Sequence, residues 1–308
     1  MRFGVSMIFA AVLLAATRVQ ADTQCHLLQA ASVDMTIGSS GRIVVPMTIG
    51  GRQVRMMIDT GSPLSLITFD LARSLNLNIK HADIGAAGTA ILTMFGGLTV
   101  TEYAKAPDVA IGALKTDSMG FGIYPGASNL NEIDGLLGAD IMQNYDLDFD
   151  FAHGKFNLFS KDHCNGAVVY WTRTPVAVVP FSREARGGHF LLNVQLDGKT
   201  ERAIIDTGAT RTVGTWEPLA EDFGLSEKSP GVTAVGSQDD VVYRYAFKTL
   251  TFGGVTVSNP DITMIPRAES GMVDMSQNLV IGINVLRQLH LYVATGEEKF
   301  YITPASAH

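Results

Sequence analysis

Met56-Met57-Ile58-Asp59-Thr60-Gly61-Ser62-Pro63 and, later, Ala203-Ile204-Ile205-Asp206-Thr207-Gly208-Ala209-Thr210 are the two stretches on which the fold turns. In each, a run of apolar residues ends in Asp-Thr-Gly, and the two aspartates stand 147 residues apart. One such tripeptide is ordinary turn chemistry at the end of a strand. Two copies inside a longer repeat predict two carboxylates brought together on a pseudo-two-fold axis.

The repeat extends outward from both stretches. Upstream stand Met47-Thr48-Ile49-Gly50-Gly51-Arg52 and Val194-Gln195-Leu196-Asp197-Gly198-Lys199, each reading as a strand, a tight turn and a second strand that delivers the acid. Downstream, Ile133-Asp134-Gly135-Leu136-Leu137-Gly138 is echoed by Asn278-Leu279-Val280-Ile281-Gly282, with Gly138 and Gly282 144 residues apart. The same 144 separates the closing strands expected from Lys155 and from Lys299. Landmarks in one order at a nearly constant offset predict a duplicated chain. Most other segments read as short strands rich in valine, isoleucine and threonine. Residues 42–49, 97–103, 177–181, 190–196, 241–252 and 255–257 are among them. Helices are expected to be few, with 68–75 and 217–223 the best candidates and a short helical stretch after each of Gly138 and Gly282. The fold class is all-β and bilobal, with few short helices and a cleft between the lobes. The expected division is 22–165 for the N-terminal lobe, 166–176 for a linker and 177–308 for the C-terminal lobe.

Residues 1–21 read as a secretory signal peptide: Arg2, an apolar stretch from Val5 to Ala16, and small residues before a cut after Ala21. The stretch is short for a membrane span, and an uncleaved anchor is the alternative. Export implies a periplasmic or secreted protein. Processing leaves 21 basic against 30 acidic residues, a charge of −9, with no basic cluster to meet a nucleic acid. The two cysteines, Cys25 and Cys164, invite one disulfide in an oxidising compartment, two buried thiols being the alternative. Closing so long a loop is worth about 4–5 kcal/mol in the chain-entropy picture. The seven histidines are scattered without ligand spacing, so no metal and no cofactor is expected. There is no Gly-x-Ser-x-Gly elbow for a serine hydrolase.

On the two Asp-Thr-Gly loops and the two apolar-apolar-Gly elements, the chain resembles the pepsin/retropepsin clan of aspartic proteases, in particular bacterial, exported, single-chain members with retroviral-like halves. The resemblance covers roughly residues 40–304. It implies a monomeric endopeptidase acting on polypeptides, with Asp59 and Asp206 as a proton-sharing dyad that activates water. Thr60, Gly61, Ser62, Thr207, Gly208 and Ala209 would support the dyad, the threonines bonding across the junction, with Gly138 and Gly282 behind. Ser62 can hydrogen-bond its aspartate in relatives, and Ala209 lacks that hydroxyl. A closing flap is expected within 85–97, with Phe95 and Gly96 as candidates, and a counterpart near Gly236. A non-catalytic envelope module that only binds peptides is the rival reading.

Overall fold

In the computed structural model, residues 26–82, 92–93, 99–126, 132–183, 188–236, 241–267 and 277–305 are described. The signal segment, Cys25, Phe95 and Gly96 lie outside them.

The two acid-bearing hairpins form as read. Strands Ile43–Ile49 and Arg52–Ile58 pair with Ile49 opposite Arg52, leaving a two-residue turn whose Gly50 and Gly51 both have positive φ (58° and 76°). In the second half Phe190–Leu196 pairs with Lys199–Ile205, and Asp197 (46°) and Gly198 (81°) make the same turn. Two consecutive left-handed residues follow the right-handed twist of the flanking strands, hence the glycines. Each acid-bearing strand then accepts a short parallel neighbour on its other side, Gly135–Leu137 or Leu279–Ile281. Leu136, Leu137, Leu279 and Ile281 are buried, as expected of strands covered on both faces.

Six strands run in the order Gln29–Asp34, Lys155–Phe159, Asp146–Asp150, Leu289–Ala294, Lys299–Pro304, Ala177–Arg183 and join the halves. At their centre Leu147 faces Val293 and Phe149 faces Leu291, which pairs equivalent strands of the two repeats. This sheet continues into the second half to make 15 strands, and a separate 8-stranded sheet builds the first half. The segment before the first repeat therefore serves as an edge strand, with Ala31 and Val33 buried.

The period-two pattern of Asp146-Leu147-Asp148-Phe149-Asp150 puts the aspartates on one face of this sheet. Two of them are nonetheless fully buried. Asp148 accepts hydrogen bonds from Tyr170 (2.6 Å) and Asn157 (2.7 Å) and pairs with His290 Nε2 at 2.7 Å. Asp146 pairs with His163 Nε2 (2.6 Å) and accepts from the Thr295 amide (2.7 Å). Burial alone would lower the His163 pKa, but its hydrogen bond to Asp146 leaves it raised. The stretch expected as a plain linker is part of this arrangement: Val168 is buried, and Trp171 stacks on His290 at 4.3 Å. Buried charges must be paired and hydrogen-bonded, and the chain crossing between halves supplies partners.

Two readings change. The strand expected over 241–252 is split into Val242–Arg244 and Thr249–Phe252, because the Asp197 carboxylate captures the Lys248 and Thr249 amides (2.8 and 2.7 Å). Of the strand expected over 97–103, Thr99–Val100 pairs with Leu92–Thr93, while Glu102 and Tyr103 open a long hairpin, Glu102–Ile111 with Leu114–Ile123, whose exposed polar positions hid it. Helix Phe69–Ser74 is capped by the Thr68 hydroxyl, and Trp216–Phe223 ends at Gly224 in the left-handed region (φ 62°).

Candidate active site

The two acid-bearing strands end against each other. Thr60 donates its amide to Thr207 Oγ1 (3.0 Å) and its hydroxyl to the Ile205 carbonyl (2.9 Å). Thr207 reciprocates, its amide to Thr60 Oγ1 (3.0 Å) and its hydroxyl to the Ile58 carbonyl (2.9 Å). Both threonines are buried, so four hydrogen bonds in a dry setting hold the loops in one relative position.

That position sets Asp59 and Asp206 side by side. The Gly61 amide donates to Asp59 Oδ1 (2.9 Å) and the Gly208 amide to Asp206 Oδ1 (2.8 Å). Each glycine also faces the opposite acid. A Cβ on Gly61 would lie 2.6 Å from Asp206 Oδ1, and one on Gly208 2.4 Å from Asp59 Oδ1. No side chain fits in either place, which is the physical reason for glycine in both copies.

The carboxyls are half-buried, each lying against the glycine of the opposite loop. Burial, followed by the charge of Asp206, pushes the Asp59 pKa far above the carboxylate range; amide donation from Gly61 and Ser62 opposes this. Asp206 is also raised by burial, but less simply. The Gly208 amide, the charge of His189 and the Ala209 amide all favour its ionised form. Such a pair holds one proton between two carboxyls.

The backing elements position the acids through the main chain. The Asp59 amide donates to the Leu137 carbonyl and the Asp206 amide to the Ile281 carbonyl, each at 3.0 Å. A Cβ at Gly138 would meet the Leu64 carbonyl at 2.4 Å, and one at Gly282 the Arg211 carbonyl at 2.4 Å, so both glycines are required by close approach. Ser62 sits in the first loop as expected, but its hydroxyl donates to the Leu64 carbonyl (2.8 Å). Any difference between the two acids therefore has another source.

Three features escaped the sequence reading. Asp140 Oδ1 accepts from the Ser65 amide and hydroxyl (2.9 and 2.6 Å), and Asn284 Oδ1 accepts from the Thr212 amide and hydroxyl (2.7 and 2.8 Å). The 144 and 147 offsets already in hand relate these residues, so the signal was present. The third is His189, whose Nε2 lies 2.8 Å from the Gly61 carbonyl of the opposite half. Nothing local in the sequence marks it, because the contact spans 128 residues.

The expected flap region contributes strand Leu92–Thr93, paired antiparallel with Thr99–Val100. Phe95 and Gly96 are outside the described residues. In the region of the expected counterpart, Thr233–Val235 pairs antiparallel with Val242–Arg244, and Gly236 follows the first strand with φ 120°. Cys164 is described and Cys25 is not.

The family model described as aspartyl protease matches residues 45–141 and 192–285, one stretch in each half and together more than half of the chain. The comparison with curated proteins finds no match. Among solved structures, the aspartic proteinase from Irpex lacteus is similar at 14% identity with a TM-score of 0.56, over 89% of this chain and 97% of that one. At that identity the likeness is one of fold.

Proposed function

The chain belongs to the aspartyl protease family and is a peptidase, and from that premise we propose that it is an exported, monomeric endopeptidase working through Asp59 and Asp206. The observation that carries this is the juxtaposition of the two carboxyls by the Thr60–Thr207 hydrogen bonds, with each acid held by its own loop amide. The ionised carboxylate removes a proton from a water molecule as its oxygen attacks the peptide carbonyl, and the protonated acid donates to the carbonyl oxygen. The resulting gem-diol collapses: one of its hydroxyls gives its proton to the carboxylate as the C–N bond breaks, and the amine leaves with the proton of the other acid. Proton count is conserved, and the dyad returns to its single-proton state.

Export is supported by the basic, apolar and small-residue order of residues 1–21. A Cys25–Cys164 bridge is supported by the pairing of the neighbouring chain: the Ser160 amide donates to the Leu28 carbonyl (2.9 Å), so the two cysteines lie three and four residues beyond a fixed contact. A monomer is sufficient because each half supplies one acid.

The test uses purified residues 22–308, with Asp59→Asn and Asp206→Asn beside wild type, on an unbiased peptide library from pH 3 to 8, with and without pepstatin. Cleavage by wild type alone supports the reading. A well-folded wild type that cuts nothing, while binding library peptides equally with or without the aspartates, would favour a binding module instead.

A further inference from the structure

We propose that a cavity beside the first catalytic loop is a subsite for a lysine or arginine side chain of the polypeptide substrate, with Asp140 as the residue that selects it. This deepens the protease reading and rests on it.

The cavity, of about 250 Å³, lies in the first half. Leu64, Val100 and Phe121 give it an apolar wall, and Glu102, Tyr103 and Asp140 are among its polar residues. Leu64 stands where the catalytic loop leaves, its carbonyl accepting from the Ser62 hydroxyl. Val100 belongs to the strand that pairs with Leu92–Thr93, in the region expected to form the flap. The opening therefore lies between loop and flap strand, within reach of a peptide that crosses Asp59. Its volume falls short of the roughly 300–1,000 Å³ that whole small-molecule ligands fill, and suits a single side chain.

The chemistry of the lining narrows the choice. An apolar wall ending at a carboxylate fits a methylene stem that carries a cationic head. Asp140 Oδ1 is taken up by the Ser65 amide and hydroxyl and by the Ile141 amide (3.0 Å). Its Oδ2 has no hydrogen-bond partner, and no basic side chain pairs with it, among the described residues. A carboxylate oxygen only accepts, so the group that completes it is a donor. Glu102 already has a basic neighbour, the exposed His81 at 3.3 Å.

The internal repeat shows that the fold does not need this charge. Asn284 holds the place of Asp140 in the second half, and Thr212 that of Ser65. Asn284 Oδ1 repeats the two contacts, and its Nδ2 donates to the Asp261 carbonyl (2.7 Å). An amide thus does the structural work of the position, with both terminal atoms occupied. The first half keeps a negative charge and an oxygen to spare, beside a cavity. Leu64 is replaced in the second half by Arg211, whose guanidinium lies 3.6 Å from Asp261, so the apolar wall is not repeated either.

The test reads selectivity. Wild type acting on the peptide library should enrich lysine or arginine at one fixed position relative to the cut. Paired synthetic peptides that differ only by lysine or methionine there give a ratio of kcat/KM, which Asp140→Asn should lower about tenfold. The substitution copies the second half, and thermal melts check that the variant is folded. Equal losses on both peptides, leaving the ratio unchanged, would make Asp140 purely structural and overturn the proposal, as would cut sites with no basic preference. A second series needs no cleavage: immobilised Asp59→Asn protein captures peptides from the same library. Basic residues should be enriched in the captured pool, and adding Asp140→Asn should remove that enrichment. Enrichment alongside a wild type that cuts nothing would keep the subsite and sink the protease reading. Equal or absent enrichment in the two proteins would sink the subsite whatever wild type cleaves.

Discussion

Replacing Gly208 by alanine tests the site more sharply than removing an acid, because it leaves every catalytic group in place. The added Cβ would sit 2.4 Å from Asp59 Oδ1, 2.5 Å from Cγ and 2.7 Å from Oδ2. Ordinary contacts to a methyl carbon begin near about 3.4 Å, so one partner must retreat by about 1 Å. Gly208 is not among the residues with positive φ, so an alanine suffers no backbone penalty there and the clash is the whole effect. The loop cannot yield, being held by the Thr207 amide and hydroxyl, and the Asp59 main chain is tied to Leu137. The carboxyl must swing away and loosen its bond from the Gly61 amide. A displacement of that size costs about 10²-fold in kcat, or about 2.7 kcal/mol of barrier, with overpacking adding about 1–3 kcal/mol of instability. Steady-state kinetics and thermal melts of Gly208→Ala should be read beside Gly120→Ala, whose Cβ meets nothing within 4 Å. If Gly208→Ala keeps kcat within twofold and melts like wild type, the close approach of each glycine to the opposite acid is not real and the argument fails.

Thr60→Val orphans the Thr207 amide and the Ile205 carbonyl in a buried place. It should cost about 2–4 kcal/mol in urea denaturation, against about 1 kcal/mol for Thr60→Ser, which keeps the hydroxyl; equal costs for both would mean the cross-bonds carry no stability. Because burial raises both acids, the carboxylate is a liability at neutral pH. Asp206→Asn should therefore melt higher than wild type at pH 7 and alike at pH 3, a sign that calorimetry across that range would reverse if the pair were stabilising. Asp148→Ala leaves His290, Tyr170 and Asn157 without their shared acceptor and should cost about 3–5 kcal/mol, seen as a large fall in the urea midpoint. The same change to Asp34, an exposed partner of Lys155, should cost under about 1 kcal/mol.

Much of this was legible in the chain because the signals are local. Gly50-Gly51 and Asp197-Gly198 specify their turns through φ alone, and the alternation along Phe190–Leu196 marks which face is buried. The long hairpin from Glu102 to Ile123 was read short because exposed lysines and aspartates on its outer face carry no period that a core demands. The strand expected over 241–252 was interrupted by a carboxylate about 50 residues away, a competitor that propensity does not contain.

By itself the sequence determined the duplication, the two acids, the threonines and glycines that attend them, and the all-β class. Each of these follows from residue type and spacing along the chain. Tertiary structure alone decided that Gly61 packs on Asp206 and Gly208 on Asp59, that Asp146 and Asp148 are buried but paired, and that His189 braces the opposite loop. Those depend on which strangers in sequence become neighbours in space. Burial then sets their energies, because a charge or a polar group removed from water is worth what its new neighbours make it.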